Sequence, residues 1–205
     1  REREKWTQTV AAERQRSEVE ALTSEVLPFL ESIRFLERNL KTFLKPEKLA
    51  PTDQFKLNIV LSLALCESLE ALLPNHKVEI KWPNDIYCDD KKIAGILVET
   101  TINAGKIEFV YCGIGLNVNQ SHFSLPNATS ILSESGESMN REEVLESILM
   151  HIEKYLEGIN RYSQPTAEKY LHKLRWKDEP HIFQIEGQEH EGTIIGIGPT
   201  GKLIV

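Results

Sequence analysis

VEIKWPNDIYCDDKKIAGILVETTINAGKIEFVYCG, residues 78–113, is the stretch that decides the fold class. Val78 to Trp82 alternates apolar and polar residues, the period of a half-buried strand, and Pro83-Asn84-Asp85 breaks it with three turn formers. Ile86 to Cys88 and Ile93 to Ile102 read as strands joined around Asp89-Asp90-Lys91. Asn103-Ala104-Gly105-Lys106 then turns the chain into a further strand, Ile107 to Gly113. The expectation is an antiparallel meander.

Upstream, Thr52 or Asp53 can cap a helix, Gln54 to Leu73, that is apolar on nearly all sides and ends at Pro74-Asn75. Such a helix belongs inside, against a sheet. Earlier still, Val19, Leu22 and Val26 show helical spacing, Pro28 interrupts it, and Ile33, Leu36 and Leu40 suggest a second short helix. Downstream, Asn140 and Glu143 form a capping-box-like start. Val144, Leu145, Ile148, Leu149, Ile152, Tyr155, Leu156 and Ile159 then mark one helical face. Pro165 opens a shorter helix to about Leu174. Ile182 to Ile185, Thr193 to Ile197 and Leu203 to Val205 read as short strands of a small β module. Runs of strands flanked by separate helices, without strict βαβ alternation, give an α+β class with a mixed, mostly antiparallel sheet.

The 205 residues suit one domain, or one domain with a small appendage. Hydrophobic and charged fractions of 40% and 27% fit a soluble globular protein. A net charge of −7 argues against a nucleic-acid partner, and no glycine-centred turn near the N-terminus suggests a helix-turn-helix. Cys66, Cys88 and Cys112 are odd in number and lack CxxC pairing or nearby histidines, so reduced structural thiols are expected. The longest apolar run, Ile59 to Cys66, is far shorter than the roughly 20 residues of a membrane span. With no signal-peptide pattern at the N-terminus, a cytoplasmic protein without membrane attachment is expected. The chain starts at Arg1 without Met and stops at Val205 inside an apolar run, as a piece of a longer protein would.

Three edges of the central stretch carry residues suited to chemistry. Gly113 and Gly115 fit a strand along which a flat ligand approaches the backbone, and equally fit a bulge. Lys92, at the start of a strong strand, suits a carboxylate or phosphate, and equally a solvated turn. Asn84 and Asp85 are common turn formers, yet beside a triphosphate Asp85 could hold Mg²⁺ and Asn84 a phosphate or an adenine edge. Spacing alone leaves these alternatives open.

Taken together, KWPND (81–85), KKIAGILVE (91–99) and GIGLNVN (113–119) resemble the signature of the biotin–protein ligase family. The likeness is close over Lys81 to Asn119, extends back through Phe43 to Leu73, and reaches more loosely to Val205. It implies a class II synthetase-like catalytic domain over 39–175 and the start of an SH3-like domain over 176–205, leaving 1–38 as a divergent helical segment. It also implies a two-step reaction, in which biotin and ATP give biotinyl-adenylate and a lysine of a biotin carboxyl carrier domain takes the biotinyl group. By this resemblance Lys92 contacts the biotin carboxylate and then the adenylate phosphate. Gly95, Ile96, Leu97, Gly113 and Gly115 flank biotin, and Asn84, Asp85 and Asn117 handle ATP, with Asp85 on Mg²⁺. Lys81 and Trp82 shape the pocket. A homodimer through sheet edges is compatible with the pattern.

The family's Ser-Thr-Asn segment and its GRGRRG-type loop occur nowhere in this chain; Arg14-Gln15-Arg16 comes nearest and lacks the glycines. Two explanations for residues 1–38 follow, a shifted reading frame or misjoined gene end, and a divergent member whose helices replace the loop. Beside an active ligase stand two alternatives, a biotin-binding or regulatory fragment with impaired adenylation and a lipoate-ligase-like enzyme.

Overall fold

The computed structural model describes residues 54–123, 125–157, 164–185 and 187–205. The expected N-terminal helices, the whole of segment 1–38 and Ile159 lie outside the described residues.

Helix α1 (Gln54–Leu72) forms where its sequence demanded. Its body buries Leu57, Leu61, Leu63, Leu65 and Leu69 at 3% exposure or less. Because those residues point to several sides, α1 packs against the sheet on one side and against two helices on the other. Each such side chain contributes about 1.5–3 kcal/mol through burial.

The meander is present as read. Strands β1 (Val78–Lys81), β2 (Asp85–Cys88), β3 (Lys91–Asn103) and β4 (Lys106–Leu116) form one sheet in chain order, every pair antiparallel. Among the described residues parallel pairing enters only as isolated bridges, such as Lys92 with Ala128. The β3–β4 turn has both central residues at positive φ, Ala104 at 49° and Gly105 at 76°, the two-residue hairpin geometry that matches strand twist. Val78, Ile80, Ile86, Ile93, Ala94 and Ile96 line the face against α1.

Short helix α2 (Ile131–Ser135) is capped by Ser130, whose hydroxyl accepts from the Ser133 N–H. Helix α3 (Arg141–Glu157) buries Val144, Ile148, Ile152 and Leu156, the face its spacing marks. Its Asn140 cap accepts from the Glu142 N–H, one position earlier than a capping box uses. Helix α4 (Gln164–Lys173) also packs on α1, and the Ser68 and Ser147 hydroxyls meet at 3.0 Å between α1 and α3. Among the described residues no helix is long and apolar enough to cross a membrane.

The C-terminal strands differ from expectation. Strands β5 (Pro180–Ile185) and β6 (Gln188–Thr193) form one antiparallel pair, β7 (Gly196–Ile197) and β8 (Leu203–Ile204) another, and the two pairs remain separate sheets. The expected strand Thr193 to Ile197 is therefore divided between β6 and β7. Strand β6, QEHEGT, has no apolar alternation because neither of its faces is buried. Gly201 fastens this region to the rest: its carbonyl accepts from Trp82 Nε1 at 2.9 Å, and its φ of 83° and contact with Phe55 leave no room for a side chain.

Candidate active site

Strand register brings the three chemistry-bearing segments onto one sheet face. Asp85 lies directly across from Gly95, and Gly95 across from Gly115, so β2, β3 and β4 each contribute one residue to a transverse row. Beside it, Leu97 lies across from Gly113. Directly opposed residues of neighbouring strands project to the same side. This side faces away from α1, and Leu97 is 58% exposed on it.

Lys92 reaches the same face through an irregularity. Strict alternation along KKIAGI would put Lys92 with Ala94 and Ile96, on the core side. A bulge intervenes, because Ile86 pairs with Ala94 while the adjacent Tyr87 pairs with Lys92. The unpaired Ile93 restores Lys92 to the side of Asp85 and Tyr87, and both Ile93 and Ala94 stay buried. Lys92 Nζ then stands 2.5 Å from Asp85 Oδ1. A Cβ on Gly95 would sit 3.3 Å from that oxygen and 3.5 Å from the ammonium nitrogen, so only glycine leaves the pair undisturbed. The result is a flat, backbone-lined floor with a cation at one end.

The lysine's backbone is held from the other side. Lys92 N–H donates to Asn127 O at 2.7 Å, and Lys92 O accepts from Thr129 N–H at 2.9 Å, so residues 127–129 take the edge that β4 vacates beyond Leu116. Asn117 secures this exchange. Its N–H donates to Ile93 O at 3.0 Å, its Nδ2 to Thr129 O at 2.9 Å, and its carbonyl accepts from Ile131 N–H at 3.1 Å. Asn84 plays a matching part at the far end, where its Nδ2 donates to Ile96 O at 2.5 Å and its carbonyl accepts from Ile96 N–H at 2.9 Å.

The sequence-derived residues thus divide. Lys92, Asp85, Gly95, Leu97, Gly113 and Gly115 share the open face. Ile96 does not, since its side chain is 2% exposed on the core side and its backbone N–H and C=O are both taken by Asn84. Asn84 and Asn117 spend their amide groups on backbone, which makes them positioning residues in this structure. A cleft of about 340 Å³ adjoins Asn84 and Leu97 on the α1 side, with Asn58 and Thr200 on its walls. Lys81 lies on the same face, its Nζ 5.6 Å from the ring centres of both Tyr87 and Trp176, as suits a residue that shapes the surroundings. The Asn127–Ser130 segment was missed by sequence reasoning, and its only signal was the weak helix cap at Ser130.

Residues 42–117 match the model of the biotin/lipoate A/B protein ligase family. The fold is similar to that of solved members of this family. The chain is 36% identical over 104 residues to the bifunctional ligase/repressor BirA of Bacillus spizizenii, covering 48% of this chain and 32% of that protein. It is 30% identical over 158 residues to the biotin–[acetyl-CoA-carboxylase] ligase of Paracoccus denitrificans, covering 73% of this chain and 66% of that one. Its fold is similar to crystalline biotin protein ligase from Aquifex aeolicus, with a TM-score of 0.65 and 27% identity over 78% of this chain and 71% of the other. The same Aquifex protein in complex with biotin and ATP gives a TM-score of 0.63, again at 27% identity, over 78% and 67% of the two chains. This chain belongs to the biotin protein ligase family. It spans about a third of the first of these relatives and about two thirds of the second.

Proposed function

We propose that this protein activates biotin with ATP and passes the biotinyl group to a lysine of a biotin carboxyl carrier domain. The observation that carries the reading is the ammonium of Lys92 at the edge of a floor made by Gly95, Gly113 and Gly115. Glycines let a planar ring lie against strand backbone, and a compact cation at the end of that floor suits a carboxylate. The same family's Aquifex member has been crystallised with biotin and ATP, which supports both as ligands.

In the first step a biotin carboxylate oxygen attacks the α-phosphorus of ATP, and the bond to pyrophosphate breaks as the acyl–phosphate bond forms. In the second, a carrier lysine attacks the acyl carbon and AMP leaves. Neither step needs an enzyme nucleophile. The residues have to align two anions and offset the charge that gathers on the phosphate, so position and electrostatics dominate. Lys92 provides the charge, while Asn84 and Asn117 fix the strand ends that carry Asp85 and Lys92.

A single carboxylate with substrate phosphates is an ordinary Mg²⁺ environment. Asp85 fits it, since its side chain is 28% exposed on the open face. Mg²⁺ bound there would neutralise phosphate charge. A cytoplasmic setting belongs to the same proposal, as does an SH3-like character for residues 176–205.

The test is mass-spectrometric detection of biotinyl-adenylate and release of pyrophosphate, with biotin, ATP and Mg²⁺ supplied to the full chain. Product that depends on biotin, and falls about a hundredfold or more in Lys92→Ala, supports the reading. Formation of lipoyl-adenylate in place of biotinyl-adenylate would move the protein to the lipoate branch.

A further inference from the structure

Sequence spacing places no histidine near a cysteine, but the fold does. His76, in the turn between α1 and β1, comes together with Cys88 and Asp89 at the end of β2 and with Glu134 of α2. One donor atom from each of the four lies within 4.8 Å of all the others. Cys88 projects to the core side of the sheet, opposite to Asp85, so this cluster is separate from the ligand face.

The two carboxylates are oriented, not merely gathered. Asp89 Oδ1 accepts from the Lys77 N–H at 3.0 Å, which turns Oδ2 toward His76 Nδ1 at 2.9 Å. Glu134 Oε1 accepts from the Thr129 hydroxyl and lies 3.5 Å from Lys91 Nζ, which leaves Oε2 toward His76 Nδ1 at 3.8 Å. Anchoring one oxygen so that the other faces inward is how supporting partners aim metal ligands.

We propose that His76, Cys88, Asp89 and Glu134 form a binding site for a divalent cation of the zinc class. One nitrogen, one sulfur and two oxygens make a borderline-soft donor set, suited to four-coordinate Zn²⁺ and poorly suited to Mg²⁺ or Ca²⁺. A tetrahedral site with Zn–N and Zn–O near 2.1 Å and Zn–S near 2.3 Å needs its donors roughly 3.3–3.8 Å apart. Modest side-chain movements bring the present spacing into that range. Binding would displace the thiol proton to solvent and leave Cys88 as thiolate. It would also clip together the α1–β1 turn, the β2–β3 turn and α2. Through Thr129, that clip bears on the segment that holds the Lys92 backbone.

The test uses the full chain stripped of metal with a chelator, then titrated with Co²⁺ and with Zn²⁺. One equivalent of Co²⁺ should give a thiolate-to-cobalt charge-transfer band that disappears in Cys88→Ser and persists in Cys66→Ser. Zn²⁺ should raise the melting temperature, and His76→Ala should weaken its binding by about tenfold or more. If Cys88→Ser does not fold, the His76→Ala comparison decides, since His76 is part-exposed and its loss opens no core cavity. A wild-type chain that shows no thiolate band, or binds Zn²⁺ no better than His76→Ala, would overturn the proposal.

Discussion

Lys92 Nζ lies 2.5 Å from Asp85 Oδ1, across two strands whose register should have kept them on opposite sides but for the bulge at Ile93. The pair is part-exposed, 42% for the lysine side chain and 28% for the aspartate, so its own contribution to stability is about 0–1 kcal/mol. Its consequence is for ligand binding, because Asp85 competes with any incoming carboxylate for the same ammonium group. Asp85→Asn should therefore tighten binding of biotin alone by up to about fivefold. Adenylate formation in the same variant should fall by about tenfold or more, since phosphate and Mg²⁺ lose a partner. Calorimetry with biotin and a pyrophosphate assay separate the two effects.

The glycines offer a contrast between crowding within the protein and crowding against a ligand. Gly95→Ala places a methyl 3.3 Å from Asp85 Oδ1 and should disturb the Lys92–Asp85 pair directly. Gly113→Ala meets nothing nearer than Leu97 Cβ at 3.8 Å, and Gly115→Ala nothing nearer than Gly95 O at 4.0 Å. Those two should fold with stability changed by less than about 1 kcal/mol. Loss of biotin affinity in Gly113→Ala or Gly115→Ala, with the urea midpoint preserved, would locate the ring on that floor.

The core behind the site should be sensitive to truncation. Ile86 is fully buried on β2, between the residues that place Asp85 and Tyr87. Ile86→Ala should cost about 2–5 kcal/mol, measured by urea unfolding, because it removes packed volume against α1. Leu65→Ala, within α1, should cost a similar amount.

An acid-sensitive clasp joins the three helices. Burial pushes the Glu67 carboxyl up, but hydrogen bonds from Lys169, Tyr155 and Lys154, with the charge of Lys169, outweigh it and hold the group at about 2. A carboxyl whose folded value lies below its ordinary 4.5 adds stability above that value and loses it as pH falls toward 2. Wild type should thus exceed Glu67→Gln in stability at pH 7, and the difference should shrink between pH 4.5 and 2. Paired urea titrations across that range check the sign.

Much of the fold was legible because local chemistry and burial agreed. The all-round apolar character of Gln54–Leu72, the alternation in Val78–Lys81 and the Asn103–Lys106 turn each predict the element that forms. The convergence of the three motifs was legible as an idea. Its mechanism was not, because alternation assigns Lys92 to the core side and only pairing with Tyr87 reveals the bulge. Strand β6 escaped because an exposed hairpin arm needs backbone pairing and no apolar face. Ile96 was included with the floor by resemblance, yet strand alternation buries its side chain. Nor could spacing show that His76 approaches Cys88, since they meet through the pairing of β1 with β2.

Calorimetric titration of biotin into the full chain and into Lys92→Ala tests the central claim most directly. The claim predicts that the wild type binds and that the substitution weakens binding by about ten- to a hundredfold, the range for losing a charged hydrogen bond. Equal affinity for the two proteins would contradict it.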